Sequence, residues 1–515
     1  MKLDELTATF NKLPGAMPIW HGTVDATQFR NLCEQVKHDG GKLVALWGSD
    51  ESPCDAGYAL HVALVAASGM FCLTLPVKAG RPAYPDISDI FFGASRMQRA
   101  VADLIGLHAI GADDQRKWLR HASWPDNVHP LRKNFDGNTV FPTETDAYPF
   151  VSVSGEGVHE IAVGPVHAGT IEPGHFRFSV IGDRVLRLEE RLGYKHKGIE
   201  KRFESLNLEQ GAKLAGRICG DSTVAYAWAY AQAVESVTGA MPPPRALALR
   251  AVLLELERIH NHLGDLGYLG NDAALAFGFA QFWILKEEVL RMNNELFGHR
   301  YLMDKIVPGG VACDLDPQGM ERILQLLSHL EQEVRILKDI YDEHAGVQDR
   351  FLTTGRVMPD LAAQLGLTGL PGRASGQAWD VRAQFPCAPY DQLEVRMATH
   401  RNGDVAARVI VRFEELMESM RLIRLILAKL PAGELRATVA DAPENALGIG
   451  WVEGWRGEIL VVLHTGKNNG IHRLHPHDPS WQNWPVLEHA IIGNIVPDFP
   501  LINKSFNLSY AGQDL

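Results

Sequence analysis

The sequence has few cysteines, and none of them forms a CxxC pair. Six are scattered over 515 residues: Cys33, Cys54, Cys72, Cys219, Cys313 and Cys387. A disulfide framework is dense and short-range in small secreted chains, so this pattern predicts reduced cytosolic thiols instead. Because free cysteine is among the most buried residue types, we expect most of the six to be small core residues.

Long hydrophobic runs are also missing. The most apolar stretches, Thr223–Val234 and Ala273–Leu285, are short and contain Gln232 and Gln281. A membrane span needs about 20 predominantly apolar residues, and the N-terminus lacks the apolar core of a signal peptide. We therefore expect a chain with no transmembrane segment of its own, which other subunits would have to hold at a membrane.

There is no excess of positive charge. The net charge is −12 and the sequence pI is near 6.0, whereas a nucleic-acid binder presents a basic face. No GxGxxG or P-loop motif is present, so direct nucleotide binding is not expected either. Neither feature argues against docking on protein partners.

The first 120 residues predict a small α/β domain. The runs KLVALWGSD, LHVALVAA and MFCLTLPV have the apolar or alternating patterns of strands, and Ser95–Ile105 has apolar residues at helical spacing. Residues 121–150 are polar and rich in proline and other turn formers. That composition predicts a linker or an irregular strap.

Residues 151–515 predict a second, mainly helical domain with flanking strands. HFRFSVIGDRVLRLEERL predicts a hairpin around a Gly-Asp turn, and GWVEGWRGEILVVLHTG predicts further strands near the C-terminus. Apolar residues recur at three- and four-residue steps in 249–266, 321–341 and 405–430, as in packed helical bundles. The expected fold class is α+β, with a small α/β domain followed by a helical bundle domain.

An ordered set of motifs resembles one family. The segments are GPVHAGTIEPGHFRF (164–178), GYKHKGIEK (193–201), RICGDSTVAYAWAYAQAVE (217–235), RASGQAWDVR (373–382), NGDVAARVIVRFEEL (402–416), GWVEGWRGE (450–458) and PDFPLINKSFNLSYAGQDL (497–515). Together they resemble the large subunit of the formate hydrogenlyase-type (group 4) nickel-iron hydrogenases and its relative, the hydrogenase-like quinone-site subunit of complex I. YPDISDIFFGASRMQRAVADLIGL (84–107) and HPLRKNF (129–135) resemble the complex I accessory subunit, here fused to the large subunit.

The resemblance allows a test of the nickel-iron ligands. Such a centre needs four soft thiolates, which the family supplies as RxCGxC and, near the C-terminus, DPCxxC. At the four positions this chain has Cys219, Ser222, Ser509 and Gly512, so three of the four cysteines are missing. The histidine that hydrogenases carry four residues after the first motif is Tyr226. We therefore expect that this chain binds no nickel-iron centre and no other cofactor of its own.

The quinone site that the resemblance implies is also altered. The quinone-site protein of complex I uses an HPxxH loop and a tyrosine near the first cysteine motif. Here His167 is followed by Ala168, Ile171 stands four residues on, and the tyrosine position falls near Gly220. His175 replaces the second histidine only if the loop carries an insertion. A quinone pocket of the usual kind is therefore in doubt.

The polar residues around the family's cavity are retained. Glu200 matches the carboxylate that acts as a proton gate in hydrogenases, a role that needs burial to raise its pKa. Other charged positions match residues of the cavity or its proton path, and opposite charges among them are expected to pair. They are Arg373, Asp380, Arg382, Asp404 and Arg412. These charged residues, together with Glu200 and His175, are the candidate site residues.

Structural explanations compete with these roles. Cys219 could be a buried structural thiol, His167 and His175 loop histidines bonded to the backbone, and Glu200 a partner of Lys197 or Lys201 on its own helix. One further group is expected on a solvated or partner-facing side of a helix: Glu255, Glu257, Arg258 and His262. A second group is expected in a surface loop without a zinc site: His472, His475, His477 and His489.

The resemblance predicts a subunit of a membrane-associated complex related to complex I and to energy-converting hydrogenases. The expected partners are an iron-sulfur small subunit, which would hold the cluster, and antiporter-like membrane subunits. The chain would lie on the cytoplasmic face of the inner membrane and couple charge changes in its cavity to ion translocation. Two alternatives stay open: an oxidoreductase subunit that reduces quinone or another acceptor, and a non-catalytic assembly scaffold.

Overall fold

A computed structural model describes residues 9–54, 56–142, 144–145, 147–167 and 171–515. Its strands are β1 (Asn11–Lys12), β2 (Ile19–Thr23), β3 (Lys42–Asp50), β4 (Tyr58–Ala66), β5 (Gly69–Val77), β6 (Ala83–Pro85), β7 (His108–Ile110), β8 (Val158–Val163), β9 (His175–Ile181), β10 (Arg184–Arg191), β11 (Ile306–Val307), β12 (Gly310–Val311), β13 (Leu447–Glu453), β14 (Glu458–Thr465) and β15 (Ile471–His477).

The α-helices lie mostly in the second half of the chain. They are α1 (Ala26–His38), α2 (Ala94–Leu104), α3 (Ile199–Phe203), α4 (Leu208–Ala215), α5 (Thr223–Thr238), α6 (Pro244–Asp272), α7 (Ala276–Phe297), α8 (Pro317–Glu343), α9 (Ala345–Phe351), α10 (Pro359–Leu365), α11 (Gly369–Ala374), α12 (Val381–Gln384), α13 (Val405–Ala428), α14 (Ser480–Ala490), α15 (Phe499–Phe506) and α16 (Tyr510–Asp514).

The N-terminal sheet has the strand order β1-β2-β5-β4-β3 and is covered on both faces. One face packs on α1 and α2 through residues such as Leu60 and Met97. The other packs on β13 and β14, where Trp47 and Ala63 share a cluster with Trp451. Burial on both faces explains why these strands read as almost continuous apolar runs.

The larger part of the chain combines helices with two antiparallel three-stranded sheets, β10-β9-β8 and β13-β14-β15. Helix α6 packs along α7 and α13, and α5 lies across β13 and β14. At the α5 contact, a Cβ on Gly448 or Gly450 would approach the Ala233 or Ala229 carbonyl oxygen to 2.1 or 1.8 Å. These glycines let the sheet rest directly on the helix backbone.

The predicted fold class is confirmed, and so are its main elements. The three N-terminal runs are β3, β4 and β5, and the hairpin is β9–β10 with Gly182 at a φ of +61° in its turn. Residues 121–150 contain no helix or strand in their described part, while the division into two domains stays a prediction. Over the described ranges, no helix is both long and apolar enough to cross a bilayer.

Candidate functional site

The four ligand positions of the family meet in the interior. Cys219 and Ser222 lie just before α5, and Ser509 and Gly512 lie at the start of α16. The Cys219 Sγ atom lies 3.1 Å from Ser509 Oγ, and this hydroxyl accepts the Gly512 N–H at 2.8 Å. The fold therefore keeps the positions together although their chemistry differs.

Asp478 fills the space beside Gly512. A Cβ on Gly512 would lie 2.4 Å from Asp478 Oδ2, which is far inside van der Waals contact. The carboxylate is held there because Tyr226 Oη donates to Oδ2 at 2.8 Å and the Ser480 N–H donates to Oδ1 at 2.9 Å. A cysteine side chain at position 512 has no room in this arrangement.

An ion pair closes the other side of the same region. Arg456 donates to both oxygens of Asp221 at 2.7 Å and to Ser222 Oγ at 3.2 Å. Burial opposes ionisation of Asp221, but the Arg456 charge outweighs it and lowers the pKa of this carboxyl. Burial and the Asp221 charge raise the pKa of the Cys219 thiol, which donates to Asp221 Oδ1 at 2.9 Å. Cys219 is thus a neutral thiol.

These residues do not fit a nickel-iron centre. Four thiolates are needed, whereas the positions provide one protonated thiol, two hydroxyls that are already hydrogen-bonded and a glycine against a carboxylate. Within the part of the chain that the structure describes, no cluster of three or more His, Cys, Asp or Glu side chains is arranged to hold a metal ion.

Glu200 is buried at the first turn of α3 and pairs with β15. Arg473 Nη2 donates to its Oε1 at 2.7 Å, and His475 Nδ1 lies 2.8 Å from the same oxygen. Burial alone would raise the pKa of Glu200, but Arg473 and His475 lower it to about 2. The raised pKa that a proton-gate role requires is therefore not met at Glu200 in this arrangement.

Lys197, just before α3, and Lys201, within it, bind groups other than Glu200. Lys197 Nζ donates to the Ile218 carbonyl oxygen, and Lys201 Nζ donates to Glu204. The alternative in which Glu200 pairs with one of these lysines is therefore wrong.

His175 lines a large cavity that does not include Glu200. This cavity of about 940 Å³ is bordered by Tyr148, Phe150 and His196, among others, and Glu200 is not part of its wall. His175 Nδ1 lies 3.2 Å from the Gly164 carbonyl oxygen, and its buried Nε2 has no hydrogen-bond partner among the described residues. The structure thus separates His175 from Glu200.

The loop before His175 is described only in part. His167 Nε2 lies 2.7 Å from the Gly174 carbonyl oxygen, which agrees with a loop histidine bonded to the backbone. Ala168 and the two residues after it lie outside the described residues. The structure therefore describes only the first and last positions of the altered HPxxH motif, His167 and Ile171.

A cluster of buried charges fills the space between α6, α11 and α13. Arg373 donates to Glu415 at 2.7 Å and to Glu453 at 2.8 Å, and His262 Nε2 lies 2.9 Å from Glu415. Burial opposes ionisation, but Arg373 and His262 lower the pKa of Glu415. Arg373 therefore pairs with residues distant in sequence.

The cluster continues through Glu255 on α6. Arg382 donates to Glu255 at 2.9 Å and to Asp380 at 2.7 Å. Tyr390 Oη donates to Glu255 at 2.6 Å, and Arg258 Nε donates to it at 3.2 Å. Although burial opposes it, the two arginines lower the pKa of Glu255 to about 2.

The remaining charged candidates anchor α13. Arg412 donates to Asp265 at 3.0 Å, and Asp404 caps the helix by accepting the Ala407 N–H at 2.8 Å. Both are buried, and neither contacts the Cys219 region directly in the hydrogen bonds observed. Arg412 connects to it through Asp265 and Asn507: the Asn507 side chain donates to Asp265, and its carbonyl oxygen accepts from Arg456 Nε at 2.6 Å.

Glu257 lies on the opposite side of α6 from Glu255, at the start of α5. It accepts the backbone N–H groups of Val224 and Ala225 at 2.6 and 3.2 Å. Burial raises its pKa to about 8, because these two bonds only partly offset the loss of solvation. A protonated carboxyl therefore lies beside the former ligand positions.

Two sequence-based expectations of exposure are wrong. Glu255, Glu257, Arg258 and His262 are buried, since their partners come from other elements and cover the polar side of α6. The histidines of the C-terminal segment do not form a surface loop: His475 and His477 are buried in β15, His472 is half-buried in the same strand, and His489 is half-buried at the end of α14.

Comparison with known proteins places this arrangement in a family. Residues 22–140 match the 30 Kd subunit of respiratory-chain NADH dehydrogenase, and residues 272–448 match its 49 Kd subunit. The chain is 32% identical over 483 residues to formate hydrogenlyase subunit 5 of Escherichia coli, covering 92% of this chain and 85% of that protein. It is 29% identical over 415 residues to the C/D subunit of NADH-quinone oxidoreductase from Bacteroides thetaiotaomicron, covering 77% and 78%.

A solved structure supports the fold. A chain of the membrane-bound sulfane sulfur reductase, an archaeal respiratory membrane complex, superimposes with a TM-score of 0.66 and 24% identity over 70% of this chain and 99% of that chain. The class is therefore a hydrogenase-like, complex I-related subunit fused to a 30 Kd-type domain, and the chain belongs to the family of formate hydrogenlyase subunit 5.

Several residues of the site have no role in the sequence-based prediction. Asp478, Arg456 and Trp455 surround the former ligand positions, and Arg473 with His475 surrounds Glu200. Arg456 lies in the GWVEGWRGE motif, so its position as a charged residue within a matching motif was an available signal. Asp478 had none, because its importance depends only on its position beside Gly512.

Proposed function

We propose that this chain is the hydrogenase-like subunit of a membrane-associated, complex I-related respiratory complex. In this proposal it binds no nickel-iron centre and couples charge changes in its remodelled cavity to ion translocation by its partners. The observation that carries the proposal is Asp478, which fills the space beside Gly512 while the surrounding charged network is kept.

The names of the relatives support the proposed partners. The formate hydrogenlyase and NADH-quinone oxidoreductase relatives are by name parts of larger enzymes, and the described chain has no helix suited to crossing a membrane. We propose an iron-sulfur small subunit and antiporter-like membrane subunits as neighbours. The chain would then lie on the cytoplasmic face of the inner membrane, held there by those subunits.

A continuous polar network supports the coupling role. It runs from Asp221 through Arg456 and Asn507 to Asp265 and from there to Arg412 on α13. A charge that appears near Asp221 changes the balance of each pair along this network, because Arg456, Asp265 and Arg412 are buried. A local charge change that biases a packed helix is a sufficient physical means of coupling.

Metal analysis of the native complex tests the first half of the proposal. We expect iron from the iron-sulfur partner and no stoichiometric nickel in the complex purified through a tag on this chain. Nickel at one atom per complex would overturn the proposal, and the chain would then be a hydrogenase with a reduced ligand set.

Ion transport tests the second half. Asp265→Asn and Glu200→Gln each remove one buried charge with little change in shape, so we expect an assembled complex with lost ion uptake in inverted membrane vesicles. Asp304→Asn, which removes a partner from an exposed pair with Arg217, is the matched control and should transport normally. Normal transport in both buried variants would favour the scaffold.

An oxidoreductase role is a second candidate because of the cavity at His175. About 940 Å³ bordered by aromatic and ionisable side chains is within the usual range of small-molecule sites. If quinone or another acceptor is reduced there, His175→Ala should abolish electron transfer by the assembled complex while leaving its composition unchanged. Full electron transfer by this variant would exclude His175 from an acceptor site.

A further inference from the structure

A row of polar residues crosses the face of the N-terminal sheet that meets the C-terminal sheet. His21 on β2, Thr74 on β5, His61 on β4 and Ser49 on β3 follow one another across four adjacent strands. Thr74 Oγ1 lies 3.0 Å from His21 Nε2 and 3.0 Å from His61 Nδ1, and Ser49 Oγ lies 2.8 Å from His61 Nε2. The row interrupts a face that is otherwise apolar.

The C-terminal sheet supplies more histidines to the same interface. The ring of His464 on β14 lies 5.4 Å from that of His61. A bulge in the β14–β15 pairing adds His472 to β15, and its Nε2 lies 3.1 Å from Glu51 Oε2. Bulges commonly redirect a side chain. We call His21, His61, His464, His472 and Glu51 the histidine seam.

The charged groups that face the seam come from several elements. Arg473 on β15 and the other imidazoles disfavour protonation of His61 and His464, whereas Glu51 favours it. On the outer side, Lys133 donates to the His472 carbonyl oxygen and pairs with Glu204 at 2.8 Å. The carboxylate of Glu51 is the acidic group within the seam, and His472 already binds it.

Burial makes neutral imidazoles the stable form inside the interface. Burial is the first cause that lowers the pKa of His61 well below its usual value, and it lowers that of His464 to about 4. Neither group is protonated at neutral pH. His464 Nε2 and Glu51 Oε1 are buried without a hydrogen-bond partner among the residues that the structure describes. Two polar atoms of the seam therefore lack a hydrogen bond even when the imidazoles are neutral.

The seam adjoins the pocket of Glu200. Trp47 on β3 stacks between His61, at 5.2 Å, and His475, at 4.8 Å, and His475 is the histidine that binds Glu200. Arg473 links the two regions as well, because it binds Glu200 and the Gly48 carbonyl oxygen of β3. Movement of β3 away from β15 would remove these contacts and admit water to Glu200.

We propose that the histidine seam is an acid-sensitive latch that holds the N-terminal sheet over Glu200 at neutral pH and opens when His61 and His464 take up protons. Two cations beside Arg473 with one carboxylate are unfavourable in this interface, where His61 is buried and His464 is half-buried. The open form hydrates both imidazoles, so it binds the protons that the closed form excludes.

Hydrogen exchange of the full chain tests the latch. After correction for intrinsic exchange, we expect uptake in β3, β4, β14 and β15 to be faster at pH 5.5 than at pH 7.5. The expected factor approaches tenfold per pH unit for each histidine protonated only in the open form. The double variant His61→Gln, His464→Gln should lose this pH response, whereas His38→Gln, at a side chain that is 84% exposed, should keep it.

Two results would overturn the latch: a wild-type chain without the pH response in these strands, or a double variant that keeps the response in full. If the double variant does not fold, exchange at the histidine C2 position in the wild type replaces it. That method should give His61 and His464 midpoints below the midpoint of exposed His38, and equal midpoints would contradict the latch. Neither readout depends on metal content or ion transport, so failure of the latch is distinguishable from failure of the proposed function.

Discussion

Two buried polar regions lie on either side of α6, and they differ in what they have kept. The region of Cys219 and Gly512 has one cysteine at the four positions that the family resemblance assigns to metal ligands, and it is closed by Asp478 and Arg456. The charge cluster around Glu255 and Arg373 retains the residues that the family resemblance indicated, in dense mutual pairing. Under the proposed function, the charge cluster is the part of the cavity that works without a metal.

Removal of one member of the charge cluster should have the largest effect. Arg373→Met leaves Glu415 and Glu453 without their shared partner in a solvent-free site. We expect a loss of about 3–5 kcal/mol in the free energy of unfolding, the usual cost of breaking a buried pair. Chemical denaturation measures it. Arg291→Met, which breaks an exposed pair with Glu287, is the control, and equal stability of both variants would refute the comparison.

A side chain at position 512 should have the next largest effect. Gly512→Ala forces a Cβ against Asp478, so we expect a loss of about 1–3 kcal/mol, as for other overpacked sites. Gly220→Ala is a matched control, because a Cβ there meets nothing within 4 Å. In a double-mutant cycle, Asp478→Ala should relieve much of the penalty. Additive losses would show that Asp478 does not fill the space.

Glu257 on α6 should make the stability of the fold decrease as the pH rises. The folded-state pKa of Glu257 is raised from 4.5 to about 8, so its contribution is present below about pH 4.5 and is lost as pH rises to about 8. Relative to Glu257→Gln, the wild type should lose about 1.4 kcal/mol per pH unit in this window. Denaturation between pH 5 and 8 measures this slope.

An exposed glutamate provides the control for Glu257. Glu209→Gln changes a solvent-exposed carboxyl in the first turn of α4, so its pH slope should match the wild type. Infrared spectra at pH 7 add an independent readout, because a protonated carboxyl band should disappear in Glu257→Gln. A wild type without that band would contradict a neutral Glu257.

The exposed ion pair near the former ligand positions should matter least. Arg217 of the RICGDS motif pairs with Asp304 at 2.7 Å, and both side chains are 42% exposed. We expect Arg217→Ala to cost about 0.2–1 kcal/mol, because solvent screens such pairs. Thermal unfolding measures the change. A loss as large as that of Arg373→Met would mean that family motif membership, and not burial, sets the energetic importance of these arginines.

Local patterns predicted the fold well because they depend on neighbouring residues. Lys42–Asp50 is a strand as KLVALWGSD indicates, and the Gly182-Asp183 turn joins β9 to β10. The charged side of α6 was misjudged for the complementary reason. Glu255 and His262 look solvated in a helical pattern, but their partners Arg382 and Glu415 lie more than 120 positions away in sequence.

The sequence by itself determined which atoms are available at the former ligand positions. Cys219, Ser222, Ser509 and Gly512 supply one thiol, two hydroxyls and no fourth side chain in any conformation. Only the tertiary structure decided what occupies that space and which groups are charged, because packing places Asp478 against Gly512 and Arg473 against Glu200. Burial and long-range pairing set both outcomes, and neither leaves a local pattern in the chain.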